Sequence, residues 1–336
     1  MRDFLVHLLL VLASVAAAVA PLELIARWRV PEQGLPQYRR FLADGWGPFF
    51  RQEGDTLVGL TVHPYGSRGV RVPARKTPGR PRLLVLGESS AWILGNEIDV
   101  VIGRRGLQDR VETVNMAYGA STWEMAQRRF DEAVRIDADA IVLLFGHNLY
   151  FAHPVNVPLW PWASRSRLAA LALDRLDPPR SSGEMRPEGR ILVLREGLRR
   201  MARRARARGV RLILCTMPSN LRQPPGDDAA ARKDYEKAQR LWSAGRWDEA
   251  RRLYIRARDR DPDRQRAASE VNEAIRSVAR GEGVDLLDFE RLVSARGPHG
   301  VPGPELFKDN VHLNPEELRW QGARILETLR ISRHLL

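Results

Sequence analysis

Arg82-Leu83-Leu84-Val85-Leu86-Gly87-Glu88-Ser89-Ser90-Ala91-Trp92-Ile93-Leu94 is the stretch that decides how the chain is read. The apolar run predicts a short buried strand, Gly87 breaks it, and a helix starts just beyond. A strand, a glycine turn and a helix in that order expose a hydroxyl at the carboxyl edge of an α/β sheet. Residues 111–117 repeat the pattern as a strand before Gly119-Ala120-Ser121, and the apolar residues 140–145 run into Gly146-His147-Asn148. Further strands are expected to end near Met217 and Leu287, with helices over 122–135, 191–208 and 271–280. Repeated βα units in one domain predict a parallel sheet covered by helices on both faces.

A serine hydroxyl is a poor nucleophile without an adjacent base. Asp309-Asn310-Val311-His312 supplies an imidazole with a carboxylate three positions away. It leads into Leu313-Asn314-Pro315-Glu316-Glu317, where Asn314 reads as an N-cap and Pro315 as the first helical residue. The two glutamates suit the positive end of that helix. Asp309 and His312 therefore sit on a loop before a C-terminal helix, and with Ser89 they make up a nucleophile, a base and an orienting acid. Oxyanion stabilisation needs N–H donors aimed at one point. The Ser89 and Gly119 backbones and the Asn148 side chain are the candidates.

Taken in order, these four blocks resemble the SGNH, or GDSL-type, hydrolase family. Ser89 falls in its first block, Gly119 in the second, Gly146-x-Asn148 in the third and Asp309-x-x-His312 in the last. The resemblance covers roughly residues 80–330. It implies a flavodoxin-like three-layer α/β/α fold, a triad of Ser89, His312 and Asp309, and an oxyanion hole from Ser89, Gly119 and Asn148. The chain departs from the pattern with Glu88 where Asp is common and Leu149 where many members carry an acidic residue. The step from Asn115 to Gly119 is one residue short. Glu88, beside the nucleophile, is expected to have a structural hydrogen-bonding role.

The 336 residues carry 54 Lys and Arg against 41 Asp and Glu, a net charge of +13. Lysine occurs only at 76, 233, 237 and 308, so the excess is arginine. The arginines are scattered along predicted helices without interleaved aromatics, a pattern that reads as base composition of the coding sequence and points to no nucleic-acid partner; attraction to anionic lipid headgroups or an acidic glycan is the secondary reading. The single cysteine, Cys215, lies in an apolar run and reads as a buried strand residue. A metal or other cofactor is not expected, because His147, His153 and His312 lack ligand spacing with a carboxylate. His147 is expected to line the pocket or support the Asn148 turn.

Residues 4–20 are apolar apart from His7 and Ser14. They read as an uncleaved signal anchor within 1–26; a cleaved signal peptide is the competing reading, since Ala16, Ala18 and Ala20 offer small-residue sites. Either places the catalytic domain outside the cytoplasm of a bacterial-type envelope, membrane-anchored in the first case and secreted in the second. Residues 27–80 read as a spacer with a small β segment, in which His63 is a structural or surface residue. The hydrolase domain spans 81–330, and 227–265 interrupts it with a helical hairpin. There Ala238, Ala250, Tyr254, Ala257 and Pro262 fall where a tetratricopeptide repeat keeps its small, aromatic and terminating residues. One such repeat cannot bury its own face, so the hairpin must pack on the hydrolase or on a protein partner; a plain helical hairpin serving as a lid is the competing reading. Trp247 and Tyr254 are expected to be at least partly buried. Trp160 and Trp162 read as a substrate-binding lip, an interfacial anchor or a cap on the core.

Three classes of function remain open. The first is an esterase acting on a small-molecule or glycan acyl ester. The second is an O-acyltransferase using the same triad on an envelope glycan. The third is a scaffolding protein in which the hairpin matters and the triad is vestigial, which the intact set of Ser89, Asn148, Asp309 and His312 argues against.

Overall fold

A computed structural model describes residues 2–29, 49–59, 70–119, 121–150, 166–176 and 187–330. His63, Ala120, His153, Trp160 and Trp162 lie outside them. Two compact units are present. The larger holds a three-stranded antiparallel sheet, β1 (Phe50–Glu53), β2 (Thr56–Gly59) and β3 (Arg71–Pro73), and a five-stranded parallel one. The parallel sheet consists of β4 (Arg82–Gly87), β5 (Glu112–Asn115), β6 (Ala140–Leu144), β7 (Arg211–Cys215) and β8 (Asp285–Leu287), in spatial order β5-β4-β6-β7-β8. Its strand order is that of the flavodoxin-like doubly wound fold, whose ligand crevice opens where the order reverses.

The strands form because β-branched and leucine residues fill positions buried on both sides, as parallel sheets require. Leu84, Leu86, Ile141, Val142 and Ile213 are fully buried. The covering helices are α2 (Ser89–Arg104), α3 (Trp123–Ala133), α5 (Pro187–Ala207), α8 (Ser269–Glu282) and α10 (Pro315–Thr328). Helix α2 packs on α10, while α5 packs on α3 and α8. Two layers of helices thus enclose the sheet, which is the α/β architecture expected from the sequence. A short helix, α9 (Phe289–Ser294), follows β8.

At the amino-terminal end of β4, Arg82 is completely buried. Its Nε lies 3.0 Å from Glu112 Oε1, and its other nitrogens donate to the carbonyls of Ile136 and Pro73. The charge begins a strand that otherwise reads as pure core.

Helices α6 (Ala229–Ser243) and α7 (Trp247–Arg260) form the hairpin, joined by a turn in which Gly245 has φ +75°. Its interior is a separate hydrophobic cluster of Tyr235, Ala238, Ala250 and Tyr254, closed by Leu221 and Val301 from neighbouring loops. Tyr254 is buried, whereas Trp247 remains 41% exposed and stacks flat on His299 at 3.5 Å.

The smaller unit pairs α1 (Arg2–Arg29) with α4 (Arg167–Leu176). The Glu23 carboxylate accepts the Arg167 and Leu168 backbone N–H groups and the Ser166 hydroxyl, capping α4 from outside. Helix α1 exposes Phe4, Leu10, Val11, Val15 and Leu24. Among the described residues no helix is long and apolar enough to cross a membrane.

Candidate active site

The turn after β4 admits only glycine. Gly87 has φ +142°, and a Cβ there would lie 1.8 Å from the Leu144 carbonyl oxygen. This close approach lets β4 end against β6 and turn sharply, so that Ser89 becomes the first residue of α2. Its backbone N–H belongs to the unpaired first turn of that helix.

The other half of the site hangs on a bracket. Phe307 and Leu313 form an isolated antiparallel bridge and are both buried, and the Lys308 N–H donates to the His312 carbonyl at 2.8 Å. Residues 309–311 are the turn of this bracket, which folds the Asp309 carboxylate back over His312. As the sequence predicts, Asn314 caps α10, its side chain accepting the Glu317 N–H at 3.0 Å.

These two elements meet. His312 Nε2 lies 2.8 Å from Ser89 Oγ, and His312 Nδ1 lies 2.7 Å from Asp309 Oδ2. The second carboxylate oxygen of Asp309 accepts the backbone N–H groups of Val311 and His312 at 2.9 and 2.8 Å. Burial would raise the Asp309 pKa, but these backbone bonds and the imidazole outweigh it, and the carboxyl is held below its ordinary value. An ionised Asp309 at Nδ1 keeps the Nδ1–H tautomer, which leaves Nε2 as an acceptor for the serine proton.

Asn148 follows β6 on a 3₁₀ turn, His147–Tyr150. Its Nδ2 donates to the Ser121 carbonyl at 3.0 Å, which fixes the amide plane and leaves one N–H of the amide. A Cβ on Gly119 would stand 4.0 Å from the Ser89 Cβ, so the second block also borders the nucleophile. The sequence-derived residues from four separate blocks therefore lie past the ends of β4, β5 and β6 and on the loop before α10.

His147 is buried, its Nδ1 accepting the Ala267 N–H at 2.9 Å. Burial, with repulsion from His312 and Arg258, lowers its pKa to about 3, so it stays neutral. Two contributors escaped the sequence reading. Asn220 binds the 309–312 loop from below, its N–H donating to the Asn310 carbonyl and its Nδ2 to the Asp309 carbonyl. Arg266, buried and paired with Asp261, donates in turn to the Asn220 carbonyl. Both act through backbone atoms of residues distant in sequence, and no local pattern marks them. Among the described residues no group of three His, Cys, Asp or Glu side chains could hold a metal ion.

The family model described as the GDSL-like Lipase/Acylhydrolase family matches residues 100–316. The chain belongs to that family. The match includes Gly119, Asn148, Asp309 and His312 and begins downstream of Ser89. No curated protein matches the chain. Among solved structures, a GDSL-like lipase from Bacteroides thetaiotaomicron is similar at 12% identity and TM-score 0.43, covering 78% of this chain and 92% of that one. An acetyl xylan esterase is similar at 14% identity and TM-score 0.42, over 74% of this chain and 98% of its own. The periplasmic domain of a Salmonella ser. Paratyphi A lipopolysaccharide acetyltransferase is similar at 13% identity and TM-score 0.40, over 75% and 85%. Likeness at this level carries no substrate from those proteins to this family member.

Proposed function

We propose that the protein is a serine esterase that cleaves an acyl ester through Ser89, His312 and Asp309. One observation carries the reading: a single imidazole bridges Ser89 Oγ and the Asp309 carboxylate at 2.8 and 2.7 Å. In the proposed reaction Ser89 Oγ attacks the acyl carbonyl while His312 Nε2 takes its proton. The oxyanion is met by the Ser89 and Gly119 N–H groups and by the Asn148 N–H not given to Ser121. The C–O bond to the leaving group then breaks as His312 returns the proton to the departing oxygen. Water, deprotonated by His312, attacks the acyl-enzyme and restores Ser89. Turnover of an activated acyl ester by the wild type and its loss in Ser89→Ala test this reading. Adding an acceptor glycan to the same assay separates hydrolysis from acyl transfer.

We further propose that α1 attaches the enzyme to a membrane with the catalytic domain outside the cytoplasm. The run of exposed apolar side chains on that helix supports it. Retention of the full-length chain in the membrane fraction after a carbonate wash is the expected result. For the α6–α7 hairpin we propose a single tetratricopeptide-like unit, supported by the buried alanines 238, 250 and 257 at the helix contact. A protein partner would bind on its outer face.

A further inference from the structure

We propose that Glu88 is a positioning residue for the oxyanion amide, tying the turn that carries Ser89 to the turn that carries Asn148. The inference rests on the esterase reading of the site. Glu88 occupies the N-cap position of α2, yet its side chain makes no capping bond to that helix. Instead it crosses to the 3₁₀ turn after β6. There Oε1 accepts the His147 N–H at 2.9 Å and Oε2 accepts the Asn148 N–H at 2.8 Å. One residue thus precedes the nucleophile in the chain and grips, with one oxygen each, the backbone N–H of the amide donor and that of the residue before it.

The grip needs a carboxylate. A neutral carboxyl or an amide offers only one acceptor oxygen facing two N–H donors, and turns a hydrogen toward one of them. The Asn148 backbone would shift, and with it the amide aimed at the oxyanion, where small displacements cost rate. Glu88 is also completely buried, and its carboxylate is met by backbone N–H groups. Burial raises its pKa and the N–H groups of Asn148, His147 and Gly146 lower it, for a net position of about 7. Among the groups packed around it, the His147 imidazole is neutral. The ionised, gripping form therefore becomes fully populated only above neutrality.

The test compares wild type, Glu88→Gln, Glu88→Asp and Ser89→Ala on an activated acyl ester across pH, with thermal melting alongside. Expected for Glu88→Gln is a fall in kcat of about 10²-fold with KM within about threefold, comparable to losing one oxyanion donor. Glu88→Asp should recover at least about tenfold of it, because a carboxylate reaches at least one N–H. In wild type, an infrared carboxylic-acid band absent from Glu88→Gln should vanish near pH 7 in step with the rise in kcat. Equal losses in the Gln and Asp variants, an unchanged pH profile in Glu88→Gln, or no titrating band in wild type would each overturn the inference. If the Gln variant fails to fold, the wild-type band and the Asp variant still decide it. A Ser89→Ala enzyme that keeps its turnover would instead defeat the esterase reading.

Discussion

Asp309 holds His312 twice, by the ring and by the backbone. One carboxylate oxygen lies 2.7 Å from Nδ1 and the other accepts the N–H of the same residue at 2.8 Å. The side chain doing this is nonetheless half exposed, at 48%. Orientation here comes from a closed loop of bonds within four residues rather than from burial. Replacing Asp309 by Asn should keep a backbone acceptor but place an amide or the wrong tautomer at Nδ1. We expect kcat to fall by about 10²–10⁴-fold with KM little changed, at the lower end if water partly substitutes for the exposed carboxylate. Steady-state kinetics on an activated ester check this.

Ser89 and its neighbour should separate cleanly. Ser89 Oγ is bonded to His312, whereas Ser90 Oγ is buried with no hydrogen-bond partner among the described residues. Ser89→Ala should abolish covalent labelling by a serine-directed phosphonate, and Ser90→Ala should retain it. Labelling that survives in Ser89→Ala would place the nucleophile elsewhere.

Removing the Asn148 amide tests the oxyanion assignment. Asn148→Ala should cost about 10²–10³-fold in kcat. The His312–Ser89 contact does not involve Asn148, so phosphonate labelling should slow without disappearing.

Arg82 offers a stability prediction remote from the chemistry. Arg82→Ala leaves the Glu112 carboxylate buried and uncompensated, and should destabilise the fold by about 3–5 kcal/mol at neutral pH. Urea unfolding of both proteins measures it. An Arg82→Met variant that also removes the partner, as Glu112→Gln, should recover much of the loss.

Glu88 predicts a pH dependence of stability whose sign is fixed by its raised pKa. Between its ordinary 4.5 and about 7, the folded state binds a proton that the unfolded state has released. Stability contributed by this group is therefore complete below about 4.5 and lost as pH rises through about 7, by roughly 3 kcal/mol for a displacement of this size. Glu88→Gln should flatten that part of the curve, read as unfolding midpoints across pH.

Trp247 should matter less than its size suggests. Its ring stacks on His299 but stays 41% exposed, so Trp247→Ala should cost about 1–2 kcal/mol, short of the 3–5 for a buried aromatic. Melting of the variant checks it, and ester turnover should be unchanged.

Much of this protein is local information. The strands around Leu84, Val142 and Ile213 announce themselves as apolar runs, because a strand buried on both faces needs no partner to define it. Gly87 marks the turn that must follow β4, and Asn314-Pro315 marks the start of α10, since caps and turns are decided within a few residues. The five candidate site residues stand in four short blocks for the same reason. Tertiary structure decided the rest. That Ser89 and His312 meet across 223 residues follows from strand order, which no single block encodes. Glu88 could be suspected of a hydrogen-bonding role, but its acceptance of two N–H groups about 60 residues away depends on β4 and β6 lying side by side. Asn220 and Arg266 reach the site loop through backbone carbonyls, for which any residue type would serve as partner, so no local pattern marks them. Trp247 reads as an apolar ring in search of cover, and only the docking of the hairpin beside His299 fixed how much of it was found.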